Sequence, residues 1–215
     1  MANFQSLIPT LKKLEGGLSK NPNDSASSFP VPDGSGYHTN KGITYRTFVN
    51  SASKYGYVAT PKLFYEMPDN IWGAIFKGEY WDVIQGDKIK STGVAYFICD
   101  WGFNAGPNTA VRQVQEVLNV TYKLGLKVDG VMGTNTLANT NAVAPATMLQ
   151  LLQAKRVAFY NNLVKQNPSQ QTFLQGWIAR SNQALAFAQQ NLLPTAGSLL
   201  GAALFFLERI NFLHI

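Results

Sequence analysis

Glu15 is the residue of this sequence whose position most directly suggests chemistry. It precedes two glycines and closes a segment in which apolar residues recur at the spacing of a helix. A carboxyl group at the C-terminal end of a helix faces the negative end of the helix dipole, and neighbouring leucines desolvate it, although two adjacent lysines act in the opposite direction. We therefore predict a raised pKa for Glu15, which suits a general acid that protonates a departing sugar oxygen. The alternative is an ordinary helix end.

A long polar segment follows this acid. From Leu18 to Gly42 the composition shifts to Asn, Ser, Pro, Asp and Gly, which predicts a loop of about 25 residues. Loops of this length inside compact proteins are usually functional or disordered. The segment directly after the first helix is therefore a candidate functional loop.

The order of motifs along the chain resembles the muramidases of glycoside hydrolase family 108, lysozyme-like enzymes that cut the glycan strand of peptidoglycan. The resemblance covers roughly residues 4 to 190. Its motifs in the first half are Glu15-Gly16-Gly17, Pro22-Asn23-Asp24, Thr39-Asn40-Lys41-Gly42-Ile43-Thr44, Tyr80-Trp81 and the segment from Asp100 to Gly106. The second half resembles the peptidoglycan-binding-type helical region of the same family. The residues that carry this resemblance are Gln113, Asp129-Gly130, Gly133, Thr136, Arg156, Tyr160, Gly176-Trp177 and Arg180.

The resemblance implies a role for three positions. Glu15 matches the catalytic Glu, Asp24 lies where the lysozyme-like pattern has its second carboxylate, and Thr39 matches a Thr that helps to position water or sugar. The chain departs from the family between Asp24 and Thr39, because residues 25–37 contain an insertion with another acid, Asp33. Asp24 is favoured by its Pro-x-Asp context and its distance from Glu15. Asp33 is the alternative second carboxylate, and the other aspartate would then only shape a turn.

The second carboxylate has one of two tasks in such an enzyme. As an anion it either deprotonates a water or stabilises the positively charged transition state. When the two carboxyl groups are about 6.5 to 9.5 Å apart, a water fits between them and the reaction inverts the configuration of the anomeric carbon. A separation of about 5 to 5.5 Å implies that the configuration is retained. The sequence leaves this choice open.

Aromatic side chains can stack on sugar rings, although most aromatic residues belong to the core. The candidates for glycan contacts are Tyr37, Tyr45, Trp72, Tyr80, Trp81 and Trp101. Asn104 could hydrogen-bond an acetamido group, or it could shape a helix boundary.

The composition limits the other classes of function. The chain has 215 residues, of which 46% are apolar, and its 18 basic and 12 acidic residues give a net charge of +6. One cysteine, Cys99, excludes an intramolecular disulfide, and two histidines, His38 and His214, are too few for a Cys/His zinc site. We therefore expect no metal and no cofactor. The charge favours a polyanionic partner; without a nucleic-acid motif we expect bacterial peptidoglycan and no nucleic acid.

The elements that must position these residues are expected to be helices, because period-2 alternation is scarce. We predict an all-α, lysozyme-like fold with a long active-site loop after the first helix. The first helix is expected to start near Pro9 and to end at Gly16. A second helix is expected to begin at Thr60-Pro61, and a third at Asp69, which we expect to be the N-cap of that helix. Further helices are expected over the apolar segment Gly93 to Trp101, from Asn108, along a stripe of Met148, Leu151, Leu152, Lys155 and Phe159, and from about Gln170 to Asn191.

We divide the chain into a lysozyme-like catalytic portion (1–90), a helical peptidoglycan-binding-type portion packed on it (91–192) and an apolar C-terminal tail (193–215). The uncharged run from Ala196 to Leu207 in this tail is shorter than the about 20 residues of a membrane helix, so we favour a docked helix over membrane contact.

The amino terminus lacks the pattern of a signal peptide. We expect a monomer made in the cytoplasm that acts on the bacterial cell wall, as a phage endolysin or an unconventionally exported enzyme.

The resemblance implies an N-acetylmuramidase, which hydrolyses the β-1,4 bond between N-acetylmuramic acid and N-acetylglucosamine with Glu15 as general acid. One alternative is a peptidoglycan-binding module without turnover, because the loop is altered. Another is a hydrolase of chitin or chitosan with the same pair of acids.

Overall fold

The computed structural model describes residues 2–5, 7–8 and 16–192, and helices dominate this part of the chain. The predicted first helix, with Glu15, and the predicted apolar tail lie outside the described residues for most or all of their length. The chain divides after Asp82 into two compact units, and the amino-terminal residues 2 and 3 belong to the second unit, where the Ala2 amide donates to the Ile89 carbonyl at 2.9 Å. The predicted portions 1–90, 91–192 and 193–215 stay a prediction.

The described residues of the first unit form three α-helices, a two-stranded hairpin and the long loop. The strands are β1 (Thr39–Asn40) and β2 (Ile43–Thr44), and the helices are α1 (Tyr45–Ala52), α2 (Pro61–Glu66) and α3 (Asp69–Phe76). Single turns of 3-10 helix span Ser25–Ser28 and Ser53–Tyr55, and a π-helical turn spans Lys77–Trp81.

The start of α2 follows the predicted pattern. The Thr60 hydroxyl accepts from the Leu63 amide at 3.2 Å, and Pro61 occupies the first helical position. The start of α3 differs, because Pro68 is its N-cap and Asp69 is its first helical residue. Asp69 therefore lies in the first turn, where its charge still favours the helix dipole.

The core of the first unit is largely aromatic. Phe48, Phe64, Trp72, Phe76 and Trp81 are all buried. The rings of Phe48 and Phe64 have centroids 5.4 Å apart, and those of Trp72 and Phe76 are 4.9 Å apart. These rings fill the space between α1, α2 and α3, the elements that carry the hairpin.

The second unit contains the other five α-helices of the described chain. They are α4 (Thr92–Ala105), α5 (Pro107–Tyr122), α6 (Thr134–Ala142), α7 (Pro145–Gln166) and α8 (Gln171–Gln190), with 3-10 turns at Gly86–Lys88 and Pro168–Gln170. Every residue of α4 from Thr92 to Gly102 is buried, which confirms the buried helix predicted from this apolar segment. A side chain at Gly93 would begin 2.1 Å from the Ala188 carbonyl oxygen, so α4 and α8 approach closely there.

The buried face of α7 differs from the predicted stripe. Met148 and Leu152 are buried as expected, but the rest of the face consists of Leu149, Arg156 and Tyr160. The predicted stripe had Leu151, Lys155 and Phe159 in these places. The burial of Arg156 shifts the buried face, and arginine is rarely buried unless it is paired. None of the described helices is long and apolar enough to cross a membrane.

Candidate functional site

The segment that follows Glu15 is open and exposed. Glu15 itself lies outside the described residues, but Gly16, Gly17 and Leu18 are all exposed. A Cβ atom at either glycine would meet no atom within 4 Å. This open space is what a bulky sugar chain beside the preceding acid would require.

Thr39 is paired with the chain just after this segment. An antiparallel bridge joins Ser19 to Thr39, in which the Ser19 amide donates to the Thr39 carbonyl at 2.9 Å. The His38 amide donates to the Ser19 carbonyl at 3.0 Å. The bridge therefore ties Thr39 to a residue four positions after Glu15.

The motif from Thr39 to Thr44 forms the hairpin of β1 and β2. Thr39 pairs with Thr44 and Asn40 with Ile43, which leaves a two-residue turn of Lys41 and Gly42. Both turn residues have positive φ angles, 47° and 73°, as the tight turns favoured in hairpins require. The glycine of the motif serves this turn, and the Thr44 hydroxyl accepts from the Thr47 amide to cap α1.

Buried hydrogen bonds hold the hairpin on α2 and α3. The Asn40 amide group donates to the carbonyl oxygens of Phe64 at 2.6 Å and Tyr65 at 3.1 Å. The Trp72 indole donates to the Lys41 carbonyl at 3.0 Å. Thr39, the first residue of β1, therefore stands on a rigid support.

Asp24 is exposed and only partly engaged. Its Oδ1 accepts from the Ala26 amide at 2.9 Å, which caps the short helix Ser25–Ser28. Its own amide donates to the Asn21 carbonyl at 3.0 Å. Within the described part of the chain Oδ2 accepts no hydrogen bond, so this oxygen could receive a proton from water.

Both oxygens of Asp33 are engaged. Oδ1 accepts from the Ser35 amide at 2.9 Å, and Oδ2 accepts from the Tyr65 hydroxyl. The hydroxyls of Ser35 and Tyr65 lie 2.8 Å apart. Hydrogen bonds from Ser35 and then Tyr65 lower the pKa of Asp33, and burial, followed by the bond to Asp33, raises the pKa of Tyr65. Asp33 thus ties the inserted segment to α2.

His38, which precedes β1, is fully buried. Its Nε2 lies 3.1 Å from the Asn21 carbonyl oxygen, and its Nδ1 lies 2.9 Å from the Thr39 hydroxyl oxygen. The Asn21 carbonyl also accepts from the Asp24 amide. His38 therefore connects the segment of Asp24 with Thr39, and its position next to Thr39 was the only hint of this in the sequence.

The aromatic candidates fall into two groups. Tyr37 and Tyr80 are half-buried; the Tyr37 ring meets Tyr65 edge-on at 6.1 Å and carries the Lys20 ammonium 5.2 Å from its centre. The others are core residues, because Tyr45, Trp72, Trp81 and Trp101 are buried. A buried ring offers no face to a sugar, so the structure corrects the expectation that Trp81 and Trp101 stack on the glycan.

Asn104 belongs to a charged cluster inside the second unit. Asp100 is buried between Arg156, whose Nη2 lies 2.8 Å away, and Arg180, whose Nη2 lies 2.9 Å away. With its oxygen facing these groups, Asn104 accepts from Arg180 Nε at 2.8 Å and from Arg156 at 3.3 Å. Arg156 also donates to the Tyr160 hydroxyl at 3.0 Å. The cluster joins α4, α7 and α8, and the Asn104 oxygen is engaged within it.

Asp129 holds a tight turn in the second unit. The buried Gln115 donates to Asp129 Oδ1 and to the Val131 carbonyl, each at 3.0 Å, and accepts from the Gly130 amide at 2.9 Å. The bond from Gln115 is the main reason why the pKa of Asp129 is lowered. Beside this turn lies an open groove of about 360 Å³, lined by residues 124–127, 131 and 133–136 with Gln115 and Asp129.

The described residues contain no cluster of three His, Cys, Asp or Glu side chains that could hold a metal ion. The two aspartates of the long loop lie apart: Asp24 accepts from its own loop, and Asp33 accepts from its own loop and from Tyr65.

Comparison with known proteins adds to this geometry. Residues 8–106 match the family model for Glycosyl hydrolase 108, and residues 109–182 match the Predicted Peptidoglycan domain. Among solved structures, that of Brucella abortus SagA is similar, with 25% sequence identity, coverage of 90% of this chain and 98% of that chain, and a TM-score of 0.70. No curated protein matches the chain. The prediction of an all-α, lysozyme-like fold is confirmed.

Proposed function

We propose that this chain, which belongs to the Glycosyl hydrolase 108 family and also carries a predicted peptidoglycan domain, is an N-acetylmuramidase. The two matched regions make it a glycoside hydrolase of peptidoglycan. The proposal adds the bond, which is the β-1,4 link between N-acetylmuramic acid and N-acetylglucosamine, and the residues that break it.

One observation carries the assignment of these residues. The bridge between Ser19 and Thr39 holds Thr39 beside the segment that follows Glu15, and the shared Asn21 carbonyl holds His38 beside the segment of Asp24. Three motifs separated along the chain thus converge in the first unit. The hairpin beneath them is fixed by buried hydrogen bonds, which suits a group that must position a small molecule.

Glu15 is the general acid in this proposal. Its proton passes to the glycosidic oxygen as the bond from that oxygen to the anomeric carbon of N-acetylmuramic acid breaks. In the inverting form a water forms the new bond to the anomeric carbon, and its proton passes to Asp24. In the retaining form Asp24 first bonds to the anomeric carbon; water then displaces Asp24 and passes its proton to the Glu15 carboxylate. Thr39 binds the water in either form.

Asp24 is preferred to Asp33 as the second carboxylate. Asp24 keeps one oxygen without a hydrogen bond within the described chain, whereas both oxygens of Asp33 accept hydrogen bonds. At Asp33 a water would compete with the hydrogen bonds from Ser35 and Tyr65. We therefore assign Asp33 to anchoring the inserted segment.

The remaining assignments concern substrate and location. Tyr37 and Tyr80, whose rings keep accessible surface, are proposed as glycan contacts. The net charge of +6 would hold a monomeric enzyme on the anionic cell wall, with an affinity that falls as salt rises. No contact with nucleic acid or membrane is part of the proposal, and it needs no cofactor.

The experiment compares Glu15→Gln with Glu66→Gln on purified peptidoglycan. Glu66 is an exposed acid at the end of α2 that has no role in the proposed reaction, so its substitution makes the same change of charge at a residue that the proposal does not use. We expect Glu15→Gln to lose about a hundredfold or more in release of reducing ends and still sediment with cell walls, while Glu66→Gln behaves as the parent.

Two results would contradict this function and indicate another. A parent protein that sediments with walls but releases no reducing ends would be a binding module. A parent that cleaves chitin oligomers faster than peptidoglycan would be a chitin-active hydrolase.

A further inference from the structure

The starting observation is a buried histidine that the proposed reaction does not use. The His38 side chain has no accessible surface, and each of its ring nitrogens faces one oxygen. Its backbone is also fixed, because its amide donates to the Ser19 carbonyl and its carbonyl accepts from the Tyr45 amide at 2.7 Å. The ring therefore has a defined orientation.

The partners of the ring determine where its proton lies. The Asn21 carbonyl oxygen can only accept, so Nε2 must carry the hydrogen of the 3.1 Å bond. In a neutral imidazole the other nitrogen is then an acceptor. Since Nδ1 lies 2.9 Å from the Thr39 hydroxyl oxygen, that hydroxyl donates its hydrogen to His38.

This arrangement determines what Thr39 can do for a third molecule. A hydroxyl has one hydrogen and two lone pairs, and the hydrogen of Thr39 is committed to His38. Toward a water, Thr39 can therefore only accept. A water that gives one hydrogen to Thr39 and the other to a carboxylate has its own lone pair free to attack a carbon atom.

We propose that His38 is a positioning residue for the hydrolysis, which holds the Thr39 hydroxyl as an acceptor for the attacking water. The inference rests on the proposed function, because it assigns a task to Thr39 in that reaction. The two groups that receive the hydrogens of the water are the Thr39 hydroxyl and the Asp24 carboxylate. The Asn21 carbonyl accepts from both the His38 ring and the Asp24 amide, so it keeps these two groups in a fixed relation.

The test uses two substitutions that each keep half of the ring's contacts. In His38→Asn the amide oxygen can take the place of Nδ1 and still accept from Thr39. In His38→Gln the amide nitrogen can take the place of Nε2 and still donate to Asn21, but the acceptor for Thr39 is lost. We expect His38→Asn to keep kcat within about threefold of the parent and His38→Gln to lose about tenfold to a hundredfold, with similar KM values.

A structural role alone predicts the opposite order. If the ring served only to hold the loop through Asn21, His38→Gln would be the better enzyme, and that ranking would overturn the proposal. Thr39→Val supplies a second check, because adding His38→Gln to it should cost no further kcat. A double variant that loses as much again would show that His38 acts independently of Thr39.

A spectroscopic measurement separates this inference from the function beneath it. In nitrogen-15 NMR spectra of the parent we expect the His38 ring to be protonated at Nε2, and Thr39→Val to shift the signal of Nδ1. Protonation at Nδ1 would overturn the inference whether or not the protein is active. If the His38 ring showed the expected tautomer but the protein released no reducing ends, the proposed function would be contradicted. The positioning role of His38 would then be contradicted as well.

Discussion

Ser19 and Thr39 are joined by a backbone bridge, in which the Ser19 amide donates to the Thr39 carbonyl at 2.9 Å. The bridge closes the loop between them, so the insertion in residues 25–37 lies between two fixed points. The chain can therefore lengthen this loop without displacing Thr39 from the segment that follows Glu15. The departure from the family pattern in this loop is therefore compatible with the proposed site.

The first prediction separates the two loop aspartates by activity. We expect Asp24→Asn to reduce kcat on peptidoglycan by about a hundredfold, because the amide cannot take a proton from water. Asp33→Asn should change kcat by less than about threefold, since both oxygens of Asp33 already accept hydrogen bonds from Ser35 and Tyr65. The reverse ranking would make Asp33 the second carboxylate.

The second prediction concerns acid and the inserted loop. Hydrogen bonds lower the pKa of Asp33 in the folded protein below the about 3.9 of an unfolded chain. The stabilisation is therefore complete above the unfolded pKa and is lost as pH falls through the lower, folded pKa. The urea midpoint of the parent should exceed that of Asp33→Asn by the same amount at pH 7 and at pH 5, which lie about three units and about one unit above that reference value.

The difference in urea midpoints should then shrink below about pH 4. Tyr65→Phe removes one of the same hydrogen bonds and should give a smaller difference with the same dependence on pH. A difference that grew in acid would show that Asp33 is destabilising when ionised.

The third prediction tests the support of the hairpin. Asn40→Ala removes the buried donor to the carbonyl oxygens of Phe64 and Tyr65, so we expect the free energy of unfolding to fall by about 1 to 3 kcal/mol. Asn70→Ala is the control, because the exposed Asn70 donates to the Tyr57 hydroxyl at the surface, and the loss of this bond should cost no more than about 0.5 kcal/mol. Equal effects in urea unfolding would contradict the account of the hairpin.

The fourth prediction concerns the charged cluster of the second unit. Asp100→Asn leaves the buried Arg156 without its counter-charge, and breaking such a pair costs about 3 to 5 kcal/mol. Asp82→Asn, which removes an exposed pair with Lys77, should cost no more than about 1 kcal/mol.

At temperatures where Asp100→Asn remains folded, its kcat should equal that of the parent. A loss of kcat in the folded variant would place this cluster in the active site instead of in the core.

Local signals in the sequence were sufficient for several elements. The start of α2 is encoded by a hydroxyl and a proline in adjacent positions, and α4 by an apolar run that can only be buried. By contrast, α6 contains one leucine and buries Thr136 and Thr140, whose hydroxyls are satisfied by hydrogen bonds. A helix that buries threonines lacks the apolar period on which the prediction depends.

The site was predictable in its motifs and not in its contacts. The role of Asp33 depends on Tyr65, which lies 32 residues away, and that of His38 on Asn21, which lies 17 residues away. The burial of Trp81 and Trp101 likewise follows from distant packing and not from residue type. Such contacts have no signature in one sequence, because each partner has an ordinary local composition.

The most direct test of the proposed muramidase reaction is digestion of purified peptidoglycan by the parent protein in ¹⁸O-labelled water. The new sugar ends are reduced with borohydride at once, and their mass is measured. We expect N-acetylmuramic acid at the new reducing ends, carrying one atom of ¹⁸O, and no such ends with Glu15→Gln. New ends without the label, or labelled ends that consist of N-acetylglucosamine, would contradict it.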